Sequence, residues 1–270
     1  MTNERTPFTL EYYVAWLEDE LAKGSVRYDQ FSVEYMKSHQ PRYDRTLTFL
    51  DQCSGDRALE IGATDFFQVY LKNSRAFEDV WGTIFSTNIN EKFYKKSFSA
   101  AGFETTNSIV SLNLEHELFP VSEEHFDLVM LCEVIEHMDI DPMFCLNEIN
   151  RILKPAGTLI LTTPNSCSAR IAYKACLGYR PHFFMQYEKD RSPYRHNFEH
   201  DVHSLSALVE AAGFAVECLE THDVFEPPHQ EAIEFLKRND MPLHHRGDDI
   251  FIVARKAGAP RDRWPSTLYV

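Results

Sequence analysis

Apolar residues follow two different spacings along the chain, and the two alternate. Short apolar runs are typical of buried strands, whereas apolar residues three and four positions apart are typical of amphipathic helices. The predicted strands are 57–62, 79–86, 125–133, 153–165, 215–225 and 248–256. The predicted helices are 10–22, 41–53, 66–74, 90–103, 139–153, 203–214 and 226–238. Strands that alternate with helices indicate an α/β fold with a doubly wound, parallel sheet.

The same pattern predicts three parts of the chain. Residues 1–52 are expected to form an N-terminal helical extension, 53–256 the α/β domain, and 257–270 a C-terminal tail. Within the domain, the segment 166–203 is irregular and rich in Tyr, Phe, His and Arg. Such an insert between regular elements is often a binding loop, so we expect a lid over the substrate.

The charge of the chain restricts its partners. With 27 Lys and Arg against 41 Asp and Glu, the formal net charge is −14. This excess of negative charge disfavours broad binding to nucleic acids or anionic membranes, so a small-molecule acceptor is expected. The six cysteines include no C-x-x-C pair, and no apolar run has the length of a membrane span. These features predict a soluble, cytoplasmic protein with reduced thiols.

Ionisable residues follow the strand predicted at 125–133. Glu133, Glu136 and His137 have the spacing i, i+3, i+4, which puts three side chains on one face if the stretch is helical. Two carboxylates and an imidazole could bind a divalent cation or supply a general base. The alternative is a solvated helix start, where acidic residues are favoured by the helix dipole.

A second group of ionisable residues lies in the sequence RHNFEHDVH. It contains His196, His200 and His203, with Glu199 among them. Histidines clustered in an irregular segment indicate a metal site or a proton-transfer site. The alternative is a set of solvated histidines on a surface loop.

The turn after the first predicted strand is a candidate ligand site. In doubly wound sheets, ligands bind at the carboxyl ends of the strands. Glu60 and Gly62 stand at that end of the strand 57–62. An ordinary strand-turn-helix connection would carry the same residues.

Three segments together carry a family resemblance. LEIG (59–62), FDLVMLCEVIEHM (126–138) and LKPAGTLILTTPN (153–165) resemble class I S-adenosylmethionine-dependent methyltransferases, over roughly residues 45–256. The resemblance implies a Rossmann-like seven-stranded sheet with an antiparallel last strand. The insert RHNFEH is similar to that of bacterial members in sugar and polysaccharide pathways, which implies a polar or sugar-like acceptor.

The resemblance also implies a cofactor site. Glu60 and Gly62 would border the methionine end of S-adenosylmethionine, Asn113 would meet its adenine, and Cys132 would lie near the sulfonium. The full implied set is Glu60, Gly62, Thr64, Asn113, Leu114, Cys132 and Glu133.

The chain departs from the family at two points. The family's Gly-x-Gly-x-Gly positions are here Gly62, Thr64 and Phe66, and the ring of Phe66 is expected to crowd the backbone beside the cofactor. The carboxylate that usually binds the ribose at the end of the second strand is missing from residues 84–86.

A second resemblance concerns the metal. Glu133-x-x-Glu136-His137 followed by His196 is similar to the metal-dependent small-RNA 3′-terminal 2′-O-methyltransferases. It implies that Glu133, Glu136, His137 and His196 hold a divalent ion such as Mn²⁺ or Mg²⁺.

These observations favour methyl transfer from S-adenosylmethionine to an oxygen or nitrogen of a small acceptor. His137 or His196 would act as the catalytic group that takes the acceptor proton. Two alternatives remain open: a metal-dependent enzyme that no longer uses S-adenosylmethionine, and an inactive partner subunit with a methyltransferase fold.

Overall fold

The computed structural model describes residues 8–25, 29–75, 77–85, 92–180 and 195–269. The helices are α1 Leu10–Ala22, α2 Gln30–Ser38, α3 Gln40–Leu50, α4 Asp65–Asn73, α5 Pro142–Ile152, α6 Ala169–Cys176, α7 Val202–Ala211 and α8 Gln230–Arg238. The strands are β1 Arg57–Ile61, β2 Asp79–Ile84, β3 Phe93–Ala100, β4 Phe103–Ser111, β5 Phe126–Cys132, β6 Leu153–Pro164, β7 Phe214–His222 and β8 Asp249–Lys256. The chain divides into two compact units, Met1–Ser111 and Leu112–Val270.

The first unit contains four strands in the order β3-β4-β2-β1. Strands β1, β2 and β4 are parallel, whereas β3 is antiparallel to β4. Helix α4 packs on these strands, and its buried face includes the aromatic residues Phe66, Phe67 and Tyr70. Helix α1 adds Tyr13 to the same aromatic core.

The described part of the stretch 90–103 is a hairpin strand and not the predicted helix. Its described part forms β3, and buried Phe98 and Ala100 stand two positions apart, as in a strand. Ala101 and Gly102 both have positive φ, 52° and 79°, which is the backbone of a tight hairpin turn. The glycine that was interpreted as a helix end is therefore part of the turn between β3 and β4.

The second unit contains four strands in the order β5-β6-β8-β7. Strand β6 is parallel to β5, and β8 is antiparallel to both of its neighbours, β6 and β7. The antiparallel last strand is thus confirmed. The described residues contain eight strands, whereas the family resemblance implied seven. Neither β3 nor β4 was among the six strands predicted from the apolar pattern.

The helices of the second unit are fixed by buried polar contacts as well as by apolar packing. Asn150 of α5 donates from Nδ2 to the carbonyl oxygens of Ala212 and Gly258, at 2.8 and 2.9 Å. The pair α6 and α8 encloses a small apolar cluster that includes Ala169 and Leu236. A capping box at Asp201 starts α7 directly after the histidine-rich segment.

None of the helices in the described ranges is long and apolar enough to cross a bilayer.

Candidate functional site

The turn after β1 is built around the buried carboxylate of Glu60. Its Oε1 accepts hydrogen bonds from the backbone N–H and the hydroxyl of Thr64, at 2.9 and 2.7 Å. Its Oε2 accepts from Nε2 of Gln68, at 2.8 Å. The hydroxyl of Thr64 also accepts from the N–H of Phe67 and so caps α4. Side-chain hydrogen bonds therefore hold the turn in a fixed shape.

Burial dominates the electrostatics of this turn. Glu60 is 3% exposed, and its burial raises the pKa of the carboxyl to about 8, although the hydrogen bonds from Gln68 and Thr64 lower it. A proton on Glu60 is thus favoured in the folded chain at neutral pH.

The prediction that Phe66 crowds the turn is wrong. Its ring is 1% exposed and packs against the rings of Phe8, Tyr13 and Tyr43. Because α4 begins at Asp65, Phe66 lies in the first turn of the helix and its side chain points into the aromatic core of its unit. The backbone that approaches this turn closely is at Gly82 of β2, where an added Cβ would lie 2.6 Å from Cβ of Ala63.

Residues 84–86, where the family's ribose-binding carboxylate was expected, begin at the end of β2. Ile84 ends β2, and Phe85 follows it with 60% of its surface exposed. Ser86, the last residue of the predicted position, lies outside the described residues.

In the second unit, Asn113 and Leu114 lie in the turn that follows β4. Oδ1 of Asn113 accepts from the N–H of Glu115 at 2.9 Å, and the N–H of Asn113 donates to Oε2 of Glu117 at 2.7 Å. Leu114 is half-buried. These two hydrogen bonds hold the turn in place.

Cys132 and Glu133 lie at the carboxyl end of β5. Cys132 pairs with Thr162 of β6 and is partly exposed. Glu133 has φ 54°, an uncommon value for a residue with a Cβ. Its N–H donates to the carbonyl of Thr162, and its Oε1 accepts from the Thr162 hydroxyl at 2.6 Å. The strained residue is therefore fixed from both ends.

Glu136, His137 and His196 form a three-residue group at the same end of the unit. One ligand atom of each lies within 4.8 Å of the other two. Oε1 of Glu136 is 3.8 Å from Nε2 of His137, and the two imidazole centroids are 5.0 Å apart. The structure thus brings together three of the four predicted metal ligands, while Glu133 lies outside this group.

The spacing of Glu133, Glu136 and His137 suggested an α-helix, but the structure, which describes all three residues, has none there. Residues Ile135–His137 form a single 3₁₀ turn. Glu136 is fully buried, and its Oε2 accepts from the hydroxyl of Thr163 at 2.9 Å. Burial lowers the pKa of His137, which favours the neutral imidazole.

His200 and His203 are not part of this group. His200 is 1% exposed, its ring packs against Phe198, and burial lowers its pKa to about 4. His203 is exposed in the first turn of α7.

Sequence reasoning did not assign roles to three residues around the three-residue group. Asn197 donates to the carbonyl of His137, Glu199 contacts the imidazole of His196, and Thr163 binds Glu136. Their polar character within RHNFEH and TTPN was the only available signal.

The comparisons with known proteins decide the family. The profile of a family described as a methyltransferase domain matches residues 82–219, about half of the chain. The chain belongs to this methyltransferase-domain family. No match was found among curated proteins.

Solved structures share the fold of this methyltransferase. A chain in the complex of the Haloferax volcanii Trm112 methyltransferase activator and a methyltransferase is 14% identical, with TM-score 0.52, and the match covers 91% of this chain and 98% of that one. An S-adenosylmethionine-dependent methyltransferase from Thermotoga maritima is 18% identical, with TM-score 0.52, over 92% and 99% of the two chains. A third, from Archaeoglobus fulgidus, is 18% identical, with TM-score 0.50, over 80% and 91%. At these identities the likeness establishes the Rossmann-like methyltransferase fold.

Proposed function

We propose that this methyltransferase transfers the methyl group of S-adenosylmethionine to an oxygen or nitrogen of a small polar or sugar-like acceptor, with a divalent metal at Glu136, His137 and His196. Family membership and fold support the transfer reaction. The observation that carries the proposal is the convergence of one buried carboxylate and two imidazoles on one small volume.

The donor set fits a divalent ion. Two imidazoles and one carboxylate favour a transition-metal ion, of which Mn²⁺ is one, over Mg²⁺, which accepts nitrogen ligands less readily. Glu136, His137 and His196 would hold the ion, and Glu133 stands close enough to raise the pKa of His137 through its charge. When bound, such an ion would lower the pKa of an acceptor hydroxyl and orient it.

The protein's own side chains contribute to the reaction in two ways: they can take the proton of the acceptor, and they can fix the acceptor's position. Methyl transfer to a hydroxyl removes its proton. A neutral imidazole can accept that proton at Nε2 only while that atom holds no ion; with an ion there, the proton would pass to solvent. The lowered pKa of His137 keeps that imidazole neutral at physiological pH. Transfer also needs the acceptor in line with the sulfonium, so rigid placement of these groups supports the rate.

For the cofactor, we propose the residues that the family resemblance implied. In the first unit these are Glu60, Gly62 and Thr64, in the turn that side chains hold closed. In the second unit they are Asn113, Leu114, Cys132 and Glu133. Asn113 and Leu114 follow the end of β4, and Cys132 and Glu133 lie at the end of β5.

The acceptor is proposed to be small. The net charge of −14 disfavours a polyanionic acceptor. The segment 166–203 is proposed as its lid. Contrary to the prediction, it is not irregular throughout, because it contains helix α6, and residues 181–194 lie outside the described residues.

A second candidate function rests on the same ligand set. Two histidines and one carboxylate are also the ligands of non-haem iron enzymes. The turn after β1 has Thr64 in place of a family glycine, which favours a protein that has kept the metal and lost S-adenosylmethionine.

Titration calorimetry with S-adenosylmethionine and S-adenosylhomocysteine, with and without Mn²⁺, separates these functions after a metal analysis of the purified chain. We expect micromolar binding of both cofactor forms and binding of Mn²⁺. Metal binding without cofactor binding would support the second candidate. Cofactor binding without metal binding would retain the transferase and remove the metal from it.

A further inference from the structure

The segment Arg195–Glu199 lies against the three-residue group like a strap, and we use that word for these five residues. The backbone N–H groups of Asn197 and Phe198 both donate to the carbonyl of Glu136, at 2.8 and 3.2 Å. Nδ2 of Asn197 donates to the carbonyl of His137 at 2.7 Å. The strap thus binds the backbone of the 3₁₀ turn through three hydrogen bonds.

Asn197 is itself held in place by its neighbour in the strap. Nε and Nη2 of Arg195 donate to Oδ1 of Asn197, at 2.9 and 2.6 Å. Because Oδ1 receives these bonds, the amide must present its Nδ2 to His137. The orientation of Asn197 is therefore determined by the hydrogen-bond pattern.

The strap also determines the tautomers of both imidazoles. Nδ1 of His137 lies 3.1 Å from the carbonyl oxygen of Arg195, which can only accept a hydrogen bond. Nδ1 of His196 lies 3.1 Å from Oε1 of Glu199, a nearly buried carboxylate. Each neutral ring therefore carries its proton on Nδ1, and its lone pair is on Nε2.

We propose that Glu199 and Asn197 are positioning residues of the three-residue group. Glu199 fixes His196 as the Nδ1–H tautomer, and Asn197 fixes the backbone that carries Glu136 and His137. The Nε2 atom of each ring then carries a lone pair instead of a proton. This inference rests on the proposed function for its consequence, metal binding, but the tautomers belong to the metal-free chain.

The first experiment measures the tautomers without any metal. Long-range ¹H–¹⁵N spectra of the full chain at pH 8, treated with chelator, distinguish Nδ1–H from Nε2–H imidazoles. The chain has 12 histidines, so His137→Gln and His196→Gln variants assign the two rings of interest. We expect both rings as Nδ1–H in the parent chain. In Glu199→Gln, we expect only the His196 signals to change, because the amide can donate as well as accept.

The second experiment measures Mn²⁺ affinity by calorimetry and the visible spectrum of bound Co²⁺. Groups that orient metal-bound histidines typically contribute 10- to 100-fold in affinity, so we expect roughly a 10-fold loss in Glu199→Gln and in Asn197→Ala. Asn197→Ala should leave the tautomer of His196 unchanged, since Glu199 is intact.

Matched controls come from the same unit. Glu148 is also a buried carboxylate, and it accepts from the N–H of Phe119 and from Arg151. Asn150 is also an amide that donates to backbone carbonyls. Glu148→Gln and Asn150→Ala should lower stability without changing the histidine signals or Mn²⁺ affinity.

The outcomes separate the two proposals. An Nε2–H tautomer of His196 in the parent, or a His196 signal that is identical in Glu199→Gln, would overturn the positioning role. Unchanged Mn²⁺ affinity in both strap variants of a metal-binding chain would do the same. A parent chain that shows the expected tautomers but binds neither Mn²⁺ nor Co²⁺ would refute the metal function and leave the positioning of the imidazoles confirmed.

Discussion

The hydroxyl of Thr64 lies 2.7 Å from Oε1 of Glu60 and donates to it across the turn after β1. The same hydroxyl accepts from the N–H of Phe67 at 3.2 Å. A glycine at this position would give the turn its backbone freedom but neither of these bonds. Thr64 therefore joins the turn to the helix through its hydroxyl, which a glycine at this position could not do.

Thr64→Ala should destabilise the protein by about 1 to 2 kcal/mol, because it removes the helix cap and leaves Oε1 of Glu60 with one fewer donor. We also expect weaker binding of S-adenosylhomocysteine, since the turn loses its fixed shape. Urea unfolding and calorimetry measure the two effects. Thr64→Ser keeps the hydroxyl and should behave like the parent, and equal stability of the Ala and Ser variants would contradict the capping role.

Glu60→Gln should change the pH dependence of stability. The ordinary pKa of this carboxyl is 4.5 and the folded value is about 8, so the folded chain holds an extra proton between these values. Protonated Glu60 therefore contributes stability below about pH 4.5 that is lost as the pH rises to 8. Relative to the Gln variant, we expect the parent to lose on the order of 3 kcal/mol between pH 5 and 8.

Urea unfolding of parent and Glu60→Gln at several pH values checks this prediction. A stability difference that stays constant from pH 5 to 8 would mean that Glu60 ionises in the folded chain as it does in the unfolded one.

Gly82→Ala should be strongly destabilising for a single methyl group. The new Cβ would lie 2.6 Å from Cβ of Ala63 and 2.9 Å from Cδ1 of Ile109, so the turn or the strand must move. Overpacking of this kind costs about 1 to 3 kcal/mol. Gly258→Ala is the matched control, because nothing lies within 4 Å of its added Cβ. Similar melting temperatures for the two variants would show that the close approach at Gly82 is unimportant.

Elements with one clear period were predictable from the sequence. The apolar spacing over 10–22 matches α1, and the stretch after the two prolines at 227 and 228 contains α8. In each case the buried residues lie three or four positions apart, and a side chain caps the first turn. The prediction needed no knowledge of the rest of the chain.

The segment that forms β3 was not predictable in the same way. Its lysines and serines suit a helix surface, and Gly102 suits a helix end as well as a hairpin. The choice is made by pairing with β4, over eight residue pairs from Phe93 to Ala100. Such pairing depends on a partner strand, which no local period reveals.

The candidate site was predictable by residue type but not by arrangement. Glu136, His137 and His196 stood out because carboxylates and imidazoles bind metals and move protons. The strap was not predictable, because its bonds to the 3₁₀ turn join residues 58 to 62 positions apart. Helical spacing suggested that Glu133 shares a face with Glu136, whereas the positive φ of Glu133 takes it out of any helix.

His137→Ala should abolish metal binding and methyl transfer while the fold remains. The variant removes one of three ligands and the imidazole that is kept neutral by its surroundings, so we expect at least a 100-fold loss of Mn²⁺ affinity and of turnover. The imidazole is 25% exposed and makes one backbone contact, so the cost in stability should stay near 1 kcal/mol. Calorimetry with Mn²⁺ measures the affinity, and thermal unfolding measures the stability.

His203→Ala, which removes an exposed imidazole outside the three-residue group, is the control and should leave both the affinity and the stability unchanged. Full Mn²⁺ affinity in His137→Ala would remove this residue from the metal site, and full turnover would remove it from the mechanism.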